Sequence, residues 1–113
     1  MKFEAIVPGK RVRGSTTGRP LMAAFDLLGR RGVLRLLWEL RSGEAFTFRA
    51  LQEVAELSPA TLNTRLRELR TAGLLESQSG YRLTALGKKL LPALLPLSEW
   101  ADTWGRTHGS KAP

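Results

Sequence analysis

Apolar residues recur along the chain at helical spacing, change once to a strand period, and then return to helical spacing. Residues 1–19 carry little apolar periodicity and read as a flexible, basic arm. From Pro20, which suits a first helical turn because it has no N–H to satisfy, Leu21, Phe25 and Leu28 form a first short helix punctuated by Gly29 and Gly32. "VLRLLWELR", Val33 to Arg41, sets Val33, Leu36, Leu37 and Leu40 on one face, and Leu34 and Trp38 widen the apolar surface as in a central helix. "SGEAF" reads as a loop, after which Thr47 is a plausible N-cap for a third helix carrying Phe48, Leu51, Val54 and Ala55 and ending near Glu56.

After a very short break, Ser58 and Pro59 open a fourth helix that runs to about Ala72, with Gly73 suited to its left-handed cap. "LLES" and "YRLT" around "QSG" then predict a tight hairpin over residues 74–84. Thr84 can cap a last helix with Leu86, Leu90, Leu94, Leu97, Ala101 and Trp104 on one stripe, which Pro92 and Pro96 should kink or split. A domain over 20–105 and a disordered tail over 106–113 complete the division. The fold class is mainly α with a small β-hairpin, in the order of a winged helix-turn-helix with a C-terminal dimerisation helix.

The fourth helix poses the chemical question. With Leu62, Leu66 and Leu69 inward and about 100° per residue, Ala60, Thr64, Arg67 and Thr71 point outward, flanked by Thr61, Asn63 and Glu68. Thr61, Asn63 and Thr64 are short hydrogen-bonding side chains suited to base edges, and Arg67 can fork onto guanine. Arg65 and Arg70 on this helix, Arg49 near the start of the third and Arg82 in the hairpin are expected at phosphates; Gln78 and Ser79 at the hairpin tip can reach backbone or minor groove.

Charge sharpens that reading. The 113-residue chain has 18 Lys and Arg against 10 Asp and Glu, a net charge of +8, which favours polyanions. The first 20 residues hold five basic and one acidic side chain, whereas 21–57 balance at five each. Lys10, Arg11, Arg13 and Arg19 can therefore track phosphates, although "TTGRP" matches an AT-hook core only in part, with Thr17 where that core has arginine, so a solubilising arm is the plainer reading.

Cysteine is absent, which excludes disulfides and thiolate metal sites. The start has no signal-peptide core, and "LLPALLPL" at 90–97 is too short for a bilayer, so a cytoplasmic location without membrane contact is expected. No nucleophile–base set or glycine-rich phosphate loop is present, and His108, six residues from Asp102, falls in the expected tail. Neither enzymatic activity, a metal nor a cofactor is expected. Trp38, Trp100 and Trp104 read as core or interface anchors rather than a ligand cage.

"FDLLGRRGVLRLLWELRSGEAFTFRALQEV", "LSPATLNTRLRELRTAGLLE" and "YRLTALGKKLLPALLPLSEWADTW" together resemble the HxlR type of bacterial winged-helix transcription regulators, with MarR-type regulators the nearest alternative. The resemblance is most specific in the Tyr-x-Leu-Thr-x-x-Gly exit of the wing and the leucine- and proline-rich last helix ending in tryptophan. It implies homodimers built from the first and last helices. The chain departs from the family in having Arg19-Pro20 where Cys-Pro is usual, Arg31-Gly32 at the Gly-Lys-Trp site, and a shorter wing.

Independently, Leu91, Leu95 and Trp100 broaden the last helix's apolar arc beyond what one small core covers, so with Leu21 and Phe25 they are the expected dimer residues. The expected partners are double-stranded DNA and a second copy; any small-molecule effector is unspecified. The second function class left open is a winged-helix module that binds protein and no DNA.

Overall fold

The structure, a computed structural model, describes residues 5–9 and 19–109. Lys10, Arg11, Arg13 and Thr17 of the basic arm lie outside the described residues, as does the end of the expected tail, 110–113. The elements are α1 (Pro20–Leu28), α2 (Val33–Glu39), α3 (Phe48–Ala55), α4 (Pro59–Thr71), β1 (Leu75–Glu76), β2 (Arg82–Leu83), α5 (Ala85–Lys89) and α6 (Leu91–Thr107). This is a winged helix-turn-helix: α3 and α4 are joined by a turn, and the antiparallel β1–β2 hairpin follows with Leu75 opposite Leu83 and Glu76 opposite Arg82.

Local chemistry sets the boundaries. The Thr47 hydroxyl accepts from the Ala50 N–H at 3.0 Å and the Ser58 hydroxyl from Thr61 N–H at 3.2 Å, each satisfying an otherwise orphaned donor of its helix. At the other end of α4 the Leu74 N–H reaches Leu69 O and the Gly73 N–H reaches Arg70 O, both at 3.0 Å. That doubled return requires the left-handed backbone Gly73 adopts, φ 84°. Leu36, Leu37, Leu40, Leu51, Leu62, Leu66, Leu69 and Leu83 are almost fully buried and form the centre of one core.

Several expectations change. Phe46, expected in a loop, pairs with Tyr81 through two 2.8 Å backbone bonds and so extends the hairpin sheet. Ile6, expected in a flexible arm, is buried as part of the core and lines an apolar pocket together with Ala23 and Leu27 of α1 and Leu86 of α5. The last helix is split near Pro92, as the sequence implied: α5 ends at Lys89 and Pro92 lies in the first turn of α6, where its missing N–H costs nothing, whereas Pro96 sits inside α6. Helix α6 also continues to Thr107, past the expected boundary at 105, its last turn supported by Thr103 and Thr107 hydroxyls bonded to carbonyls four residues back.

The wing exit ties α4 to α5. The Thr84 hydroxyl donates to Gly73 O at 2.6 Å and accepts from the Gly87 N–H at 3.0 Å. Gly87 is buried, and a Cβ there would stand 2.3 Å from Leu74 O. Gly87→Ala should therefore lower stability by about 1–3 kcal/mol, the usual cost of overpacking. A denaturation midpoint equal to the parent's would show that α5 can shift away freely.

Candidate nucleic-acid interface

The surface that faces away from the core is built on α4. Leu62, Leu66 and Leu69 are buried, at most 1% exposed, while Ala60, Asn63, Thr64, Arg67, Arg70 and Thr71 are exposed. The three leucines hold one side of the cylinder against the core, so the opposite side must be presented outward. Thr64 donates its hydroxyl to Ala60 O at 3.1 Å, leaving the hydroxyl oxygen able to accept. Thr61 is half-buried, its hydroxyl 3.0 Å from that of Ser58, which places it at the edge of this face.

Two residues expected on this surface do something else. Glu68, expected at the margin of the outward arc, is only 4% exposed. Its Oε1 accepts from Arg65 Nη1 at 2.8 Å and its Oε2 lies 3.4 Å from Arg30 Nη1. Arg65, expected at a phosphate, also donates through Nε to the Arg31 carbonyl at 2.8 Å. Arg30 completes the cluster by donating to Asp26 Oδ2 at 3.2 Å. A buried carboxylate needs charged donors to replace lost water, and Arg65 supplies them from one turn away. Arg65 is thus turned inward rather than toward a groove. The three-residue spacing of Arg65 and Glu68 was visible in the sequence, but nothing in it signalled that Arg30 would meet them.

The remaining expected phosphate residues are exposed or partly so. Arg49 is exposed on the first turn of α3. Arg70 Nη1 reaches the Ser77 hydroxyl at 3.3 Å, linking α4 to the wing. Arg82 Nε is 3.2 Å from Glu76 Oε1 across the hairpin, without hydrogen-bond alignment although the nitrogen itself is buried. Both side chains of that pair are at least 40% exposed, so the attraction is weak and a phosphate can compete for the arginine. Gln78 and Ser79 lie at the wing tip, both exposed.

A second surface is apolar. Leu21, Phe25, Leu95, Leu97, Trp100 and Trp104 are large and exposed, Phe25 by 59% and Trp100 by 58%. Trp100 and Trp104 stack with ring centroids 5.4 Å apart, and Trp38 lies under the Arg41 guanidinium at 4.2 Å. No residue of α6 is buried. Leu91, expected in the dimer surface, instead packs partly against the chain's own core, as the first residue of α6 directly after the α5 junction. Among the described residues no helix is long and apolar enough to cross a membrane, and no three metal-ligating side chains cluster.

An outward polar helix following a tight turn, with a hairpin after it in the chain, defines a protein of the winged helix-turn-helix class. The chain belongs to the HxlR-like helix-turn-helix family, whose model matches residues 27–109. It is similar to two proteins named as uncharacterized HTH-type transcriptional regulators. For sll1512 of Synechocystis sp. (strain ATCC 27184 / PCC 6803 / Kazusa) the identity is 29% over 93 residues, covering 75% of this chain and 69% of that protein. For YvaP of Bacillus subtilis (strain 168) it is 30% over 89 residues, covering 72% and 82%. Among solved structures, quinone-bound YodB from B. subtilis superposes with a TM-score of 0.67 at 30% identity, over 74% of this chain and 96% of that one.

Proposed function

We propose that this regulator acts as a homodimer that reads a pseudo-palindromic DNA site. In this reading α4 enters the major groove, Thr61, Asn63, Thr64 and Arg67 meet base edges, and Arg49, Arg70 and Arg82 hold phosphates. The observation that carries it is the outward face of α4: exposed and polar, with its leucines locked inward. The exposed Leu21, Phe25, Leu95 and Trp100 support self-association through α1 and α6, because large apolar side chains left open to water gain free energy by being covered. Two-fold symmetry would then repeat α4 about one DNA turn, ~34–36 Å, away.

Selection of bound fragments from a random DNA pool tests this directly. The expected product is a site with two inverted halves centred about ten base pairs apart. Failure to enrich any sequence, together with a stable complex with another protein through α6, would favour the DNA-free interaction module instead. With three phosphate-binding arginines per subunit, about six in the dimer, the log–log salt dependence of binding should have a slope near −5. A flat response would remove the phosphate assignments. The YodB structure carries a quinone. This chain has no cysteine, so we infer that an effector here would not act through a thiol adduct.

A further inference from the structure

The cluster of Asp26, Arg30, Arg65 and Glu68 has no part in attracting DNA: its two cations and two carboxylates balance, and Glu68 is 4% exposed. It joins three pieces of chain. Asp26 is on α1, Arg30 and the Arg31 carbonyl are in the α1–α2 turn, and Arg65 and Glu68 are on α4. We propose that Arg30 and Glu68 are positioning residues for sequence reading, fixing the rotation of α4 about its own axis and hence where Thr64 and Arg67 fall in the groove. This rests on the DNA-reading assignment above.

Stability and register have different sources in α4. Leucine packing is strong but weakly directional, so the stripe of Leu62, Leu66 and Leu69 tolerates a small roll of the helix. Charge-assisted hydrogen bonds are short and directional, and the one that ties α4 to the α1–α2 turn is Arg65 Nε to the Arg31 carbonyl at 2.8 Å; Glu68 holds that guanidinium through Arg65 Nη1 at 2.8 Å and pairs across to Arg30 Nη1 at 3.4 Å. A roll of about 10° moves atoms at the ~5–6 Å outer radius of a helix by about 1 Å. The tolerance of a base-edge hydrogen bond is only about half that. Buried ion clusters seldom add net stability over apolar packing, so register is the contribution that distinguishes this one. Glu68 is adjacent in sequence to Arg67, so the buried clamp and the base-reading side chain share one helical turn.

Glu68→Gln and Arg30→Met test the idea because they change net charge in opposite directions. If the residues acted only through attraction to phosphates, Glu68→Gln would bind all DNA more tightly and Arg30→Met less tightly. The positioning role predicts instead that both lower the ratio of affinity for the selected site over random DNA by about tenfold, and that the double variant falls no further, as for residues acting as one unit. Asp26→Asn, at the outer edge of the cluster, should lower the ratio in the same direction by about threefold, and serves if a Glu68 variant does not fold. In the DNA-free protein, amide exchange over residues 63–70 should quicken relative to α2. An unchanged ratio in both single variants overturns the proposal, whatever happens to melting temperature. If the parent protein fails to distinguish selected from random DNA, the DNA-reading assignment falls, and unchanged amide exchange in the variants would overturn the clamp separately.

Discussion

Leu66→Ala should lower the free energy of unfolding by about 2–5 kcal/mol, the range for truncating a buried leucine. Leu66 is 1% exposed and sits at the middle of the α4 stripe, between Leu62 and Leu69, with core residues of other elements around it. Its removal leaves a cavity that α4, capped at Ser58 and tied to the wing exit at Gly73 and Thr84, cannot readily collapse into. Small domains have only about 5–15 kcal/mol in total, so the variant should melt well below the parent and lose DNA binding at growth temperatures where the parent retains it. Chemical denaturation with both transitions fitted at equal slope measures the loss. A change under about 1 kcal/mol would mean that α4 is not anchored through this stripe.

Arg67→Ala should weaken binding to the selected DNA site by about 1–3 kcal/mol, the worth of one good bidentate base contact, with a much smaller loss on random DNA. The residue is exposed on the outward face of α4 and lies opposite the buried leucines, so its truncation opens no core cavity. Melting temperature should accordingly stay near the parent's. Arg70→Ala provides the contrast: without its grip on a phosphate, selected and random DNA should both bind more weakly and to the same degree, with a shallower salt slope. Equal losses for Arg67→Ala on selected and random DNA would move Arg67 from bases to phosphates.

Neighbouring arginines on one helix thus have different surroundings, and sequence spacing separates them only in part. Arg67 lies nearly opposite the leucine stripe, so its exposure follows from the helical period alone. Arg65 lies at the stripe's flank, where exposure depends on whether another element covers that side. The turn carrying Arg30 and Arg31 does cover it, and positive charge that the helical period leaves open to DNA is taken up by Glu68 and a backbone carbonyl. Arg65 and Glu68 cancel inside, so the net excess of two positive charges on α4 is carried at the surface by Arg67 and Arg70 alone.

The same division runs through the fold. The helices, the caps at Thr47, Ser58 and Thr84, the left-handed Gly73 and the hairpin after it were legible because each depends on residues within a few positions of one another. The outward face of α4 was legible for the same reason. The pairing of Phe46 with Tyr81, the burial of Ile6, the turning of Leu91 toward the core and the Asp26–Arg30–Glu68–Arg65 cluster were not. Each joins segments distant along the chain, and a local period specifies which way a side chain leaves its own helix but not what will stand there. Sequence alone determined a winged helix-turn-helix with a polar outward face on its fourth helix; tertiary packing decided which charges that face keeps.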